Sequence, residues 1–305
     1  MNNGTRVDAK VSRVVDGDTL RVFLPGAEED ESLRILALDT EESRAGSGKP
    51  KTPWGVEAKK RAEAFFTKGD TVTLEFPGNE PLAVCMQKYR GNFGRLLVFV
   101  HNNGVDFQET MIREGYSPYF TKYGNAQLEH LHLRYTEAER HAQQQGGGIW
   151  DQITVNGSEI RNYAALGTWW SLRAQIIDQY RALKSAHSDL LNTRLDYQEI
   201  VQKAQIGEEV VIFTEIRDLK RIAIRHTLAS IGSIQQPFSL FIPDSDGDIG
   251  QNIIELLVNR YIPGEETHPR RGYAYIKGEL SLFRDKPQMK ITSPFQITDN
   301  YPSCK

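Results

Sequence analysis

Apolar residues fall at every second position in the early part of the chain, then switch to every third or fourth. Val11, Val14 and Val15 lead into Asp16-Gly17-Asp18-Thr19, and Leu20, Val22 and Leu24 alternate with polar residues up to Pro25-Gly26. That is the pattern of two strands joined by a turn. An acidic loop, Glu28 to Glu31, precedes a buried strand that ends in charge, Arg34-Ile35-Leu36-Ala37-Leu38-Asp39-Thr40-Glu41-Glu42. Strand alternation puts Ile35, Ala37 and Asp39 on one face and Arg34, Leu36 and Leu38 on the other. A loop rich in Gly, Ser, Lys and Pro, residues 43 to 53, follows beside the acidic cluster, and its Lys49 and Lys51 read equally as substrate contacts or as part of a solvated loop with no role.

From Trp54 to Phe66 the period becomes helical, with Ala58, Ala62 and Phe65 on one stripe. Thr71 to Phe76 and Leu96 to Val100 alternate as strands, the latter turned back by Asn102-Asn103-Gly104. A short helix buries Phe107, Met111 and Ile112 and is capped by Gly115; the next carries Leu128, Leu131, Tyr135 and Ala138 and stops at Gly146-Gly147-Gly148. Strands followed by covering helices predict an OB-type five-stranded barrel with helices, α+β and mainly β in class.

The second half changes character twice. Residues 158 to 205 have helical periodicity through Ile160, Tyr163, Gly167, Trp170, Ala174 and Ile177, then Leu190, Tyr197, Val201 and Ala204, predicting a helical connector packed on both neighbours. From Glu209 strands return: Val210 to Glu215, Ile222 to Ile224, Phe238 to Ile242, Tyr273 to Phe283 and Met289 to Ile291, with an amphipathic helix at Ile253 to Tyr261. Five short strands with a helix before the fourth predict a second OB-type barrel. The expected domains are therefore 1–152, 153–205 and 206–305.

Composition narrows the classes. At 305 residues the chain holds two or three cores, and a net charge of −3 excludes indiscriminate, tail-driven binding to nucleic acid while leaving room for a local basic groove. No apolar run reaches membrane-spanning length, and Met1 to Arg6 lacks an apolar signal core, so a cytoplasmic protein without membrane association is expected. Cys85 and Cys304 show no metal or redox spacing and read as inert thiols in a reducing compartment. No pattern points to a protein partner.

The chemistry lies at the strand ends. Asp18 and Asp39 can supply oxygen ligands to a hard cation, with the Thr40 carbonyl as a third. Arg34, and Arg95 at the end of Gly91-Asn92-Phe93-Gly94-Arg95, can grip a phosphate. Glu42 is left to position or deprotonate a water.

Val14 to Thr19, Leu33 to Glu42, Trp54 to Ala58, Gly94-Arg95 and Gly148-Ile149-Trp150 together resemble the staphylococcal nuclease (thermonuclease) family, in order, over residues 9 to 152. The resemblance implies that Asp18, Asp39 and the Thr40 carbonyl are calcium ligands (magnesium or manganese less favoured). It further implies that Glu42 is the general base, that Arg34 and Arg95 bind the phosphate, and that cleavage leaves a 3′ phosphate. One position departs: the family's Asp-Thr-Pro-Glu reads Asp39-Thr40-Glu41-Glu42, which adds a charge and loosens the turn.

Weaker signals accompany this. Tyr116, Tyr119, Phe120 and Tyr123 with Lys122 form an aromatic-basic cluster suited to stacking single-stranded bases, with Tyr116 and Phe120 assigned to the core and Tyr119, Lys122 and Tyr123 to the substrate. Tyr123 is positioned like a substrate-contacting tyrosine of the family. Trp169-Trp170 reads as a domain seal, and His268 to Arg271 reads equally as a phosphate grip through Arg270 and Arg271 or as a solvated loop. Asp244-x-Asp246-x-Asp248 has calcium-loop spacing, but Ile249 stands where the sharp turn needs glycine, so it reads as a polar loop.

The expectation is a metal-dependent nuclease acting on DNA, with RNA as a second substrate and single strands preferred. The C-terminal barrel is expected to guide the strand and to confer exonuclease action. The rivals are a non-catalytic nucleic-acid-binding module of the same fold, and a second half that serves as a protein-docking scaffold.

Overall fold

Strand β1 (Arg6–Asp16) is the longest of the first sheet and has a partner on each side. It pairs antiparallel with β2 (Thr19–Phe23) on one side and with β4 (Thr71–Glu75) on the other. Register shifts between Val11 and Arg13 and between Val14 and Asp16 bend it so that it can serve both. β3 (Glu31–Ile35) pairs with β2, and β5 (Leu96–Asn102) runs antiparallel to β4 and parallel to β3. The β3–β5 pairing closes the five strands into a barrel, which removes the exposed edges. The computed structural model describes residues 3–45, 50–121, 128–151, 163–262 and 270–302.

Helices cover this barrel, most of them where capping residues and apolar stripes predict them. α1 (Pro53–Phe65) starts with proline in its first turn and with the Thr52 side chain accepting from Gly55 N at 3.0 Å. α2 (Leu82–Lys88) precedes β5, and the two-residue β6 (Val105–Asp106) leads into α3 (Phe107–Arg113), capped by Asp106. α4 (Glu129–Gln145) ends at Gly146 with φ 59°. Tyr135 of α4 donates to the Asp106 carboxylate at 2.9 Å, fastening α4 to the cap of α3. Burial pushes both groups' pKa values up.

The chain divides into two compact units, Met1–Ala174 and Gln175–Lys305, and the division falls inside α5 (Tyr163–Ala186). The first part of α5 packs within the first unit, where Tyr163, Leu166 and Trp170 join Ile149, with Trp54, Trp150 and Trp169 against them. Trp170 meets Trp150 edge to face at 5.5 Å. Of the expected tryptophan seal, Trp170 is thus a core residue of the first unit.

In the second unit, β7 (Leu190–Asn192) and α6 (Tyr197–Ile206) precede β8 (Glu209–Glu215), β9 (Asp218–Ala223), β10 (His226–Ser230) and β11 (Ser239–Ile242). α7 (Asp248–Leu256) then leads to β12 (Tyr273–Phe283), β13 (Lys286–Lys290) and β14 (Ile297–Thr298). The order is β7-β8-β12-β13-β11-β10-β9, with β11 parallel to β13. Only Ile216 and Arg217 separate β8 from β9, so the path leaves from and returns to one stretch of chain, the OB-type order of the first barrel.

Three details differ from the sequence reading. Leu190–Asn192 is a strand, paired parallel with β8, and from Gln175 onward the expected connector belongs to the second unit. β10 supplies a hairpin partner to β9, of which the sequence pattern marks only the end. Both faces of β8 are apolar because both are covered: Val210 and Ile212 join the barrel core, while Val211 and Phe213 meet Ile176, Ile177 and Tyr180 of α5. Tyr180 stacks on Phe213 at 4.3 Å.

Cys85 is buried, and burial raises its thiol pKa; Cys304 lies outside the described residues. In the Asp244–Asp248 loop, Asp246 pairs with Arg221 at 2.5 Å and Asp244 with Arg225 at 3.8 Å. Among the described residues, no helix is long and apolar enough to cross a membrane.

Candidate active site

The site begins with a break in a strand. β3 stops at Ile35, and Ala37 takes φ 64°, a left-handed conformation that a residue with a Cβ rarely adopts. A bridge to Phe120 holds it there, with Phe120 N donating to Ala37 O at 2.9 Å. The left-handed step cancels the alternation, so Arg34 and Asp39, placed on opposite faces by the sequence pattern, meet with Arg34 Nη2 2.9 Å from Asp39 Oδ1.

The same guanidinium reaches Asp18, its Nη1 pairing with Asp18 Oδ2. Arg34 therefore bridges the two aspartates that the sequence nominates as cation ligands, and all three side chains are largely shielded from solvent. Asp18 Oδ1 accepts from Thr19 Oγ1 at 2.8 Å, and Thr19 Oγ1 accepts from Arg95 Nη1 at 3.3 Å. Arg95 is aimed by its turn: Gly91 N donates to Arg95 O at 2.8 Å, and Arg90 donates to Gly94 O at 2.7 Å while it pairs with Glu31. Asp18, Arg34, Asp39 and Arg95 are thus one connected cluster at the barrel rim.

Two turns are locked against each other beside it. Asp16 accepts from Gly17 N at 2.9 Å and from Ser43 Oγ at 3.1 Å, tying the first acidic turn to the second. Gly17 permits this approach, since a Cβ there would lie 2.8 Å from Thr40 Oγ1. Asp39 N donates to Ser117 Oγ at 2.8 Å, and Thr52 N donates to Glu42 O at 3.1 Å. Gly55 packs so closely on that carbonyl that a Cβ would stand 2.1 Å from it. Glu42 is half-buried, with its backbone bridged to Lys51; Thr40 is buried.

The donor set would suit a hard cation: two carboxylates on one guanidinium with Thr40 next along the chain, all oxygen and no sulfur or imidazole. Among the described residues, no three His, Cys, Asp or Glu side chains gather to hold a metal.

Other nominated residues fall elsewhere. Tyr119, expected on the substrate side, is buried at 8% exposure, its hydroxyl 2.9 Å from His132 Nδ1 and its amide donating to Glu139. It is core, because the Phe120–Ala37 bridge draws this segment onto the barrel. Phe120 is core as expected, and Tyr116 packs half-buried against Trp54 at 6.4 Å. Lys122, Tyr123, Lys49 and His268 lie outside the described residues. Arg271 donates to Tyr273 O at 3.1 Å and Asp299 O at 2.6 Å, and Arg270 to Ile262 O at 3.2 Å. Both are engaged in local structure.

Sequence reasoning missed Ser117, which fixes the Asp39 amide, and Phe93, 77% exposed at the tip of the Arg95 turn. It also missed two side chains of α5. Tyr163 donates to Glu41 Oε2 at 3.0 Å, and the Arg173 guanidinium lies over the Phe120 ring at 4.1 Å, with Arg34 5.7 Å from the same ring. The Gly-Asn-Phe-Gly run is a visible signal for Phe93; a helical stripe carries none for what Tyr163 and Arg173 touch.

A closed OB-type barrel thus carries two rim aspartates on one arginine, with a second arginine from the β4–β5 side. The chain belongs to the staphylococcal nuclease family: the profile of staphylococcal nuclease homologues matches residues 32–152. It is 34% identical over 112 residues to the SPbeta prophage-derived endonuclease YokF of Bacillus subtilis, covering 36% of this chain and 33% of that one. An uncharacterized protein of Bacillus anthracis is 31% identical over 163 residues, 52% of this chain and 67% of its own. The thermonuclease of Staphylococcus hyicus is 27% identical over 156 residues, 51% of this chain and 80% of its own. The chain therefore spans only a third of YokF's length.

Proposed function

We propose that the chain is a calcium-assisted nuclease that hydrolyses phosphodiester bonds in DNA, and in RNA as a second substrate. The observation that carries this reading is the Arg34 guanidinium shared by Asp18 and Asp39 and linked through Thr19 to Arg95. Charged groups at a shielded rim are costly to desolvate unless they are partnered, and a cluster of two carboxylates and two guanidiniums is the chemistry that a cation and a phosphate would use. Names of the relatives, endonuclease and thermonuclease, support the same activity.

Asp18, Asp39 and the Thr40 carbonyl would hold the calcium ion, which when bound supplies positive charge to a phosphate oxygen and makes a neighbouring water more acidic. Arg34 and Arg95 donate to the non-bridging oxygens and offset the charge that grows on them as the phosphorus becomes five-coordinate. Glu42 accepts the proton of the attacking water. The backbone of Glu42 is held by Thr52 N and by the bridge to Lys51, and positioning of a base relative to Asp39 would be a large part of the rate gain in phosphodiester cleavage.

Single strands are the preferred substrate in this reading. Support comes from exposed Phe93 beside Arg95, a surface ring on which an unpaired base can stack, rather than from buried Tyr119. Internal cleavage is favoured over end-directed cleavage by YokF's name. The intact charge set weighs against a non-catalytic module, which has no use for it.

The test uses the full chain on end-labelled single- and double-stranded oligonucleotides, with calcium, magnesium or EGTA. The reading expects internal products ending in 3′ phosphate, abolition by EGTA, faster cutting of single strands, and a Glu42→Gln loss of about 10²–10⁴-fold in kcat. Undiminished cutting in EGTA would remove the calcium role.

A further inference from the structure

We propose that Tyr163 is a positioning residue for this site, so that helix α5, which lies outside the segment matched by the family profile, completes it. The inference rests on the nuclease reading above. The matched segment ends at 152, but the first compact unit continues to Ala174.

The turn Asp39-Thr40-Glu41-Glu42 carries a cation ligand at one end and the proton acceptor at the other. A proline at the third position would restrict its backbone covalently; Glu41 stands there instead, and the restriction has to come from contacts. On the backbone side they are in place, since Thr52 N holds Glu42 O at 3.1 Å and Gly55 abuts the same carbonyl. On the side-chain side Glu41 is only 4% exposed, and the hydroxyl of Tyr163, itself 7% exposed, donates to it at 3.0 Å. Tyr163 in turn is fixed by the cluster of Ile149, Leu166 and Trp170.

A second contact of the same helix leads to the other end of the site. Arg173, 8% exposed, covers the Phe120 ring whose amide holds Ala37 in its left-handed conformation, and Arg34 lies 5.7 Å from that ring. α5 therefore braces both the residue that turns Asp39 toward Arg34 and the residue next to Glu42. Removing the Tyr163 hydroxyl takes one hydrogen bond from this buried carboxylate and so loosens the turn that Glu41 shares with Glu42. Tyr163 touches no reacting atom, so its loss acts on turnover rather than on binding.

Tyr163→Phe keeps the ring and removes only the hydroxyl. The expected result is a kcat about tenfold lower, a KM within about twofold of wild type and an unchanged melting temperature within a few degrees. Glu41→Gln, which retains an acceptor for the hydroxyl, keeps kcat within about threefold, whereas Glu41→Ala loses at least as much as Tyr163→Phe, and adding Tyr163→Phe to Glu41→Ala loses no more than Glu41→Ala alone. Amide hydrogen exchange supplies a readout independent of activity: the amides of Glu41, Glu42 and Ser43 exchange several-fold faster in Tyr163→Phe than in wild type. Wild-type kcat with unaltered exchange in Tyr163→Phe would overturn the proposal, as would a raised KM at constant kcat. A wild-type chain that cleaves nothing would overturn the nuclease reading instead, and the exchange comparison would still decide whether Tyr163 anchors the turn.

Discussion

Ala37 is the residue on which the site's geometry turns. An alanine at φ 64° carries roughly 1–2 kcal/mol of strain relative to an ordinary conformation, and the Phe120 amide and full burial hold it there. The residue types of the site are legible in the sequence, because carboxylates and arginines at strand ends have few structural uses. Their faces are not, since period-two alternation assumes an unbroken strand, and nothing in Leu-Ala-Leu announces a left-handed residue. Ala37→Gly, which adopts this conformation freely, is expected to leave stability within about 1 kcal/mol and activity near wild type. Ala37→Val, β-branched and buried, is expected to cost more than about 2 kcal/mol in urea unfolding and to depress cleavage as Asp39 swings away from Arg34.

Among the elements, the first barrel is readable almost strand by strand because its caps and turns carry strong signals: Thr52-Pro53, Asp106, Asn103-Gly104 and Gly146. β7 and β10 are not. Leu190–Asn192 is only three residues long inside a helical pattern, and His226–Ser230 has a single large apolar residue, so sheet pairing, not propensity, decides both. Tyr119 departs from expectation for a related reason: a tyrosine amid polar and basic neighbours looks exposed until the bridge at Ala37 pulls it in.

The docking of α4 makes a pH prediction. Burial pushes the Glu139 carboxyl up to about 7, against the Tyr119 amide and the Arg173 charge, which pull it down. A group whose folded pKa exceeds its unfolded value binds more protons in the folded state between the two. Its contribution is complete below about 4.5 and is lost as pH rises to about 7. Glu75 works in the other direction: burial raises it, but His101, Arg6 and the Gly4 amide outweigh burial and hold it at about 2, so its contribution fades as pH falls from about 4.5 toward that value. Urea midpoints of Glu139→Gln and wild type, compared at pH 5 and pH 8, are expected to show the wild type losing stability relative to the variant as pH rises.

At the scale of the whole molecule, the chain is two compact units, each with a barrel-order sheet, and the site residues come from Asp18 to Tyr163 within the first. That span alters the meaning of a truncation. A chain cut near Gln152 removes Tyr163 and Arg173 along with the second unit, so reduced cutting by it would report on the site as much as on strand guidance. Under the proposed function, side chains far apart in sequence act as one catalytic group. The most direct measurement is kcat/KM of the full-length chain on a single-stranded oligonucleotide in calcium for Asp18→Asn, Arg95→Ala and the double variant. The account predicts losses of at least about a hundredfold in each single variant and a double variant far less impaired than the product of the two, as expected of groups that work as a unit. Wild-type rates in either single variant, or losses that multiply in full, would contradict it.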